Sequence, residues 1–199
     1  TTEIYTLSLH DALPIWATLR WTACGEVVWG LPRVTDLGAA PAPATVRVAV
    51  VTGPEAASPD QRRTVDAGVA YYADLAERAC QVHGARLVAL PEIAIQWHVP
   101  GHAYDRAVAV PGPETERFAD IARRHRAVLV VGLLERDRDA VHNSAVVLDA
   151  DGRVAGVYRK VHLASTEAIS GVLPGDGFPV FETAVGRLGC TICMDSSAA

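Results

Sequence analysis

The chain has 199 residues, half of them hydrophobic and 21% charged, a composition typical of a globular domain with an apolar core. Its net charge of -5 and pI near 5.8 give no general attraction to nucleic-acid phosphates or anionic membranes. No apolar run reaches the roughly 18 residues of a membrane-spanning helix, so we expect neither a nucleic-acid nor a membrane partner.

The cysteine content and the first residues bear on the cellular compartment. Four cysteines in a chain of this length do not form the dense disulfide framework of a small secreted protein. The first residues lack the basic and then apolar order of a secretory signal peptide. We therefore expect a cytoplasmic protein.

The first 45 residues differ from the rest. Residues 1–15 resemble the translation of a sequencing adapter, and we expect them to be an artefact. Residues 16–45 show no sustained helix or strand period and end in a linker-like segment of Ala and Pro. We assign no fold and no function to residues 1–45.

Regular patterns begin at residue 46. Residues 46–51 are apolar and β-branched, which predicts a buried strand. Residues 58–59, Ser-Pro, are typical of a helix start, and apolar residues follow at helical spacing over residues 65–82. Gly84 favours the end of that helix, and residues 85–90 predict a second strand.

The middle of the chain predicts a helix, a strand and a hairpin. After a loop rich in Pro, Gly and His, residues 113–126 have a helical pattern and residues 127–134 predict a third strand. Residues 143–148 and 153–158 flank an Asp-Gly turn at residues 149–152, which favours a hairpin.

The last part predicts a loop at residues 161–177, a short segment at residues 179–181, and a strand that follows Gly186 and carries Cys193. This order of elements indicates an α/β fold with a sheet of mixed direction. The chain stops at Ala199, where a helix is expected to follow that strand, so we expect it to be truncated.

Three chemically reactive side chains each stand at the downstream end of a predicted strand: Glu92, Lys160 and Cys193. A cysteine nucleophile needs a base or a nearby cation, because its thiol is mostly protonated at neutral pH. Glu92 can accept that proton, and Lys160 can stabilise the thiolate and then the charge on a tetrahedral intermediate. If the strand ends meet at one edge, the three side chains form an acyl-transfer site.

Each of these residues also has a purely structural explanation. A strand cysteine is usually a small core residue, a glutamate after a strand is often solvated, and a lysine ending a hairpin often protects a sheet edge. Cys190, inside an apolar run, is interpreted as core, whereas Cys193 lies at the end of the strand, before a turn that would expose it. A zinc site would need two further ligands. It is the combination in order that favours catalysis.

The segments that carry these residues are Leu-Pro-Glu at 90–92, Tyr-Arg-Lys-Val-His-Leu at 158–163, and Gly-Cys-Thr-Ile-Cys-Met-Asp at 189–195. They resemble the three signature segments of the nitrilase superfamily of carbon–nitrogen hydrolases. The resemblance implies that residues 46–199 are the N-terminal portion of a carbon–nitrogen hydrolase domain. It also implies a four-layer α-β-β-α sandwich, incomplete at the C-terminus, that forms a homo-oligomer when full length and needs no metal or organic cofactor.

The resemblance assigns the family's catalytic residues to Glu92, Lys160 and Cys193, and its supporting second glutamate to Glu167. The implied reaction is hydrolysis of a non-peptide carbon–nitrogen bond in a small amide, carbamoyl compound or nitrile, through a cysteine thioester. Two alternatives stay open: acyl transfer or amidotransfer by the same triad, and a non-catalytic binding module. We expect the chain as written to be inactive or poorly folded.

The substrate-binding candidates are Trp97 and Tyr104, which would form an aromatic wall of the pocket, and His162, next but one to Lys160. Packing or solvation explains His162 equally well. His98 and His102 have the spacing of a helical metal pair, but the intervening Pro and Gly break any helix. The sequence does not choose among amides, carbamoyl compounds and nitriles.

Overall fold

A computed structural model of the chain describes residues 2–5 as backbone only, together with residues 45–52 and 64–197. The predicted helix start at residues 58–59 lies outside these ranges, as do residues 6–44. In the part of the chain that is described, no helix has both the length and the apolar character needed to cross a membrane.

The larger sheet has six strands, which are neighbours in sequence order. They are β1 (Thr2–Tyr5), β2 (Val48–Val51), β3 (Leu87–Ala89), β4 (Val128–Asp137), β5 (Ala140–Leu148) and β6 (Val154–Arg159). Strands β2, β3 and β4 are parallel, and β1 and β5 run opposite to them. Strand β6 is antiparallel to β5 and so has the direction of β3 and β4.

A second sheet consists of an antiparallel hairpin of two strands, β7 (Val180–Thr183) and β8 (Gly186–Gly189). The helices are α1 (Val65–Gln81), α2 (Ala103–Arg106), α3 (Pro113–His125) and α4 (Ser165–Ile169). A 3₁₀ turn at Cys193–Ser196 follows β8.

Helices α1 and α3 cover one face of the larger sheet. Helix α1 begins after Thr64, whose hydroxyl accepts a hydrogen bond from the Ala67 N–H at 3.2 Å. Helix α3 has Pro113 in its first turn and ends at Arg126 in the left-handed conformation. Their apolar faces bury Ala76, Phe118, Ile121 and Ala122 against Val88 and Leu129 of the sheet.

The hairpin of the second sheet packs on the opposite face of the larger sheet. Phe181 and Ile192 form a second core with Val128, Val147 and Tyr158. Gly156 is required here, because a Cβ atom at this position would lie 2.2 Å from the Phe181 ring. The mixed sheet, its helical layer and the facing hairpin confirm the predicted α/β fold class.

The structure differs from the predicted elements in several places. The short helices α2 and α4 lie in segments that were predicted as loops, α4 within residues 161–177. Strand β4 continues to Asp137 and β5 starts at Ala140, because Arg138 adopts the left-handed conformation of a tight turn. The predicted strand through Cys193 is wrong: β8 ends at Gly189, and residue 193 opens the 3₁₀ turn. Strand β1 lies in the segment to which no fold was assigned, while an adapter origin for residues 1–15 stays a prediction.

Candidate active site

The site lies at the edge of the larger sheet where β3 and β6 end. Glu92 follows β3, and its segment is attached to β4 by hydrogen bonds from Leu90 N to Val130 O at 2.9 Å and from Ala94 N to Gly132 O at 2.8 Å. A Cβ atom on Gly132 would lie 2.1 Å from the Pro91 carbonyl oxygen. Glycine at position 132 therefore allows the segment that carries Glu92 to lie directly on the strand.

Lys160 is the first residue after β6, and its backbone is fixed on both sides. Its N–H donates to the Asn143 carbonyl at 2.8 Å, and its carbonyl accepts from Gly175 N at 2.9 Å. The side chain is 1% exposed, and Nζ donates to Glu92 Oε1 at 2.8 Å and to Glu167 Oε2 at 2.7 Å. One buried ammonium therefore joins two carboxylates.

Glu167 and Asn143 complete this cluster. Glu167 lies on α4, where its Oε2 also accepts from the Ala164 N–H at 2.7 Å. Asn143, on β5, donates from Nδ2 to Glu92 Oε1 at 2.7 Å and to Glu167 Oε1 at 2.6 Å. Every charged group of the cluster thus has charge-assisted hydrogen bonds that fix its position.

The hydrogen bonds decide the charge states of the cluster. Burial by itself lowers the pKa of Lys160, but its bonds to Glu167 and Glu92 outweigh that effect and raise the pKa above its ordinary value. Burial by itself raises the pKa of Glu167, but donors on Lys160, Asn143 and the backbone hold the pKa below its ordinary value. Lys160 is therefore a cation and Glu167 an anion at neutral pH.

Cys193 opens the 3₁₀ turn and is exposed, with φ of 48° in the left-handed region. Such a backbone conformation is uncommon for residues other than glycine and is often found at functional sites. Cys193 lines a cleft of about 330 Å³ together with Glu92, Lys160 and Glu167. The thiol and the ionic cluster thus share one cleft.

The other described cysteines differ from Cys193. Cys80 is buried, and that burial raises the pKa of its thiol to about 11. Cys190 is partly buried next to the second core, and burial raises its pKa as well. Among the cysteines that the structure describes, the exposed thiol is that of Cys193.

A second, buried cluster connects the segments that carry Lys160 and Cys193. Asp195 is 3% exposed and accepts hydrogen bonds from the Tyr158 hydroxyl, from His162 N at 2.9 Å and from Ile192 N at 2.8 Å. Burial by itself raises the pKa of Asp195, but these donors hold it below its ordinary value. Because Tyr158 and His162 flank Lys160, this carboxylate joins the end of β6 to the turn of Cys193.

The structure places the three predicted substrate-binding residues differently. Trp97 lines the cleft and is 61% exposed. Tyr104 does not line it, because α2 directs its ring towards Arg136, whose guanidinium carbon lies 5.8 Å from the ring centre. His162 does not line it either: its Nδ1 lies 3.1 Å from Asp195 Oδ1.

Asn143 and Asp195 are site residues that were not predicted from the sequence. Asn143 is a fully buried amide in β5, a strand that otherwise consists mostly of apolar residues, and that contrast was the available signal. Asp195 ends the third of the three motif segments, and no role was predicted for it. Within residues 45–52 and 64–197, no group of three or more His, Cys, Asp or Glu side chains is arranged to hold a metal ion.

Comparisons with known proteins identify a family for this chain. The sequence model of the carbon-nitrogen hydrolase family matches residues 47–197. Nitrilase 1 of Arabidopsis thaliana is 30% identical over 179 residues, which cover 80% of this chain and 50% of that protein. The chain thus spans about half the length of this curated relative.

Solved structures match as well. The carbon-nitrogen hydrolase from Helicobacter pylori G27 has 28% identity and a TM-score of 0.56, over 74% of this chain and 51% of that one. XC1258 of Xanthomonas campestris, a CN-hydrolase superfamily protein, has 22% identity and a TM-score of 0.65, over 77% of this chain and 55% of that one.

Proposed function

Because the chain belongs to the carbon–nitrogen hydrolase family, we propose that its site hydrolyses a non-peptide carbon–nitrogen bond in a small amide, carbamoyl compound or nitrile. The nucleophile is Cys193, the base and acid is Glu92, the oxyanion stabiliser is Lys160, and Glu167 is the supporting carboxylate. The observation that carries the proposal is the Lys160 ammonium, held between two carboxylates in a cleft whose wall includes an exposed thiol.

In the first half-reaction, Glu92 accepts the proton of the Cys193 thiol, and the thiolate sulfur attacks the carbonyl carbon of an amide. The Lys160 ammonium stabilises the negative oxygen of the tetrahedral intermediate. Glu92 returns the proton to the nitrogen, the carbon–nitrogen bond breaks, and ammonia or an amine leaves a thioester on Cys193.

In the second half-reaction, Glu92 accepts a proton from water, which attacks the thioester carbon. The carbon–sulfur bond breaks, the sulfur of Cys193 takes up the proton, and the acid leaves. With a nitrile, the same attack gives a thioimidate, and two water molecules are needed to reach the acid and ammonia. Glu167 and Asn143 keep Lys160 and Glu92 in position throughout.

Ammonia release from a panel of small amides, carbamoyl compounds and nitriles tests the proposal in the complete protein. We expect Cys193→Ala to abolish release and Cys190→Ala, the matched control, to retain it, since Cys190 is partly buried beside the second core. Equal activity of the Cys193→Ala variant and the parent would contradict the assignment.

The same assay separates the alternatives. An added amine acceptor that becomes a new amide, while acid formation falls, would indicate acyl transfer. No turnover and no faster alkylation of Cys193 than of Cys190 would indicate a binding module. It stays a prediction that the complete protein forms a homo-oligomer and that it is located in the cytoplasm.

A further inference from the structure

Arg106 lines the same cleft as Lys160 and Cys193, and the reaction proposed above does not use it. It lies at the end of α2, and its wall of the cleft also contains the apolar residues Ala103, Leu134 and Val172. Arg106 is therefore a cationic residue in a partly apolar region of the cleft lining.

The guanidinium of Arg106 is held in a fixed orientation. Its Nη1 donates to the Gln96 carbonyl at 3.2 Å and to the Val99 carbonyl at 2.8 Å. The Gln96 side chain is buried and is bound to the Leu134 N–H at 3.0 Å and to the Leu134 carbonyl at 3.1 Å. Binding an anion therefore costs little side-chain entropy.

Arg106 is in ion-pair contact with none of the described carboxylates, which include the two that bind Lys160. Lys160, the other cation of the cleft, already binds two carboxylates. Within the described residues, the Arg106 side chain donates hydrogen bonds only from Nη1 and only to backbone carbonyls. Its Nε is buried without a partner among those residues. A partly desolvated cation without a counter-ion is unfavourable, and an anionic ligand would offset that cost.

We propose that Arg106 binds a carboxylate on the acyl part of the substrate, so that the preferred substrates are amides or nitriles of acids that carry a second, ionised carboxyl group. This inference rests on the proposed function, because it concerns the same cleft. Guanidinium is well suited to the role, since it stays charged and forms directional bonds to carboxylate oxygens.

The alternative is that Arg106 only stabilises the loop of Gln96 and Val99. Matched substrate pairs separate the two roles in the complete protein: succinamate with butanamide, glutaramate with pentanamide, and adipamate with hexanamide. Within each pair a methyl group replaces the carboxylate. We expect at least one anionic amide to have a kcat/KM about tenfold or more above its neutral partner.

Arg106→Gln should remove this preference, because it should lower kcat/KM for the anionic amide about tenfold more than for its neutral partner. Arg106→Lys, which keeps the charge and loses the planar fork, should retain part of it. Arg117→Gln, an exposed change on α3 that does not line the cleft, is the control. No preference in the parent, or an equal loss for both members of a pair in Arg106→Gln, would overturn the proposal.

A second measurement does not depend on turnover. Succinate, glutarate or adipate should slow the alkylation of Cys193 by iodoacetamide in the parent and not in Arg106→Gln. Protection without hydrolysis of any amide or nitrile would reject the proposed function and support the anion site. Turnover without protection and without a preference for anionic amides would support the proposed function and reject the anion site.

Discussion

Two neighbouring residues of the chain, Arg159 and Lys160, form similar ionic clusters with different surroundings. Arg159 binds Glu135 through Nη2 at 2.6 Å and Nε at 2.8 Å, and Asp137 at 2.9 Å. Lys160 binds Glu92 and Glu167. Each cluster thus has one cation and two carboxylates.

The two clusters also use adjacent polar residues of β5. Ser144 donates to Glu135 at 2.7 Å, whereas Asn143 donates to both glutamates around Lys160. Since successive residues of a strand point to opposite faces, the clusters lie on opposite sides of the sheet. The Lys160 side chain is 1% exposed and the Arg159 side chain 33%.

The difference that bears on chemistry is the thiol. Cys193 lines the cleft of the Lys160 cluster, while the cavity beside Arg159 is lined by Val110, Glu135, Val157, Asp176, Gly177 and Pro179. An ion-pair network with perturbed pKa values is therefore not in itself evidence of catalysis. Its position beside an exposed nucleophile is what distinguishes the two.

The largest difference between the clusters is expected when each cation is replaced. Lys160→Met should lower kcat/KM at least about 10³-fold, because it removes the oxyanion stabiliser. It should also cost about 3–5 kcal/mol of unfolding free energy, because it leaves two carboxylates without their buried partner.

Arg159→Met is the matched control for that change. It should cost about 1–3 kcal/mol of stability, since its side chain is more exposed, and retain most of the activity. Steady-state kinetics and urea denaturation provide both numbers. Comparable losses of activity in the two variants would mean that the clusters do not differ as described.

A smaller effect is expected from the polar residues of β5. Asn143→Ala should lower kcat/KM about 10- to 100-fold, because Glu92 and Glu167 each lose a donor that orients them. Ser144→Ala should cost about 1 kcal/mol of stability with little change in kcat/KM. An Asn143 variant as active as the Ser144 variant would contradict this role.

The smallest effect concerns the dependence of stability on pH. The pKa values of Glu167 and Asp195 are lower in the folded protein than in the unfolded chain. The unfolded chain therefore binds protons first as the pH falls below about 5. The stability that these groups contribute is complete above that pH and is lost as the pH falls through the folded pKa values.

Urea denaturation between pH 7 and pH 3 measures this loss. Glu167→Gln and Asp195→Asn should each be less stable than the parent at neutral pH and should lose less stability on acidification. Glu182→Gln, an exposed change on β7, should follow the parent. Parallel curves for all four proteins would show that the two buried carboxylates do not contribute.

The positions of Glu92 and Lys160 could be predicted from the sequence, because the pattern of apolar residues shows where their strands end. Apolar runs that end in Pro-Glu and in Arg-Lys put Glu92 and Lys160 at carboxyl ends of strands, and β3 and β6 have the same direction. Parallel direction is sufficient to bring such ends to one edge. No register had to be known.

The remaining features depend on register and on the conformation of single residues. Asn143 reaches both glutamates because the pairing of β4 and β5 sets it opposite Leu134, and the position of that pairing depends on the tight turn at Arg138. The turn at Cys193 depends on Asp195, whose carboxylate accepts a hydrogen bond from the Tyr158 hydroxyl on β6. A local sequence pattern does not show contacts between residues that are far apart in the chain.

The central claim is that the acid, the amine and the thiol act together in one cleft. Its most direct test is the rate of iodoacetamide alkylation at Cys193 and Cys190, followed by peptide mass spectrometry, in the complete protein and in Glu92→Gln. We predict that Cys193 reacts faster than Cys190 at neutral pH, and that Glu92→Gln slows Cys193 about tenfold or more while Cys190 is unchanged. Equal rates at the two cysteines, or a Cys193 rate that does not respond to the loss of the Glu92 carboxylate, would contradict the claim.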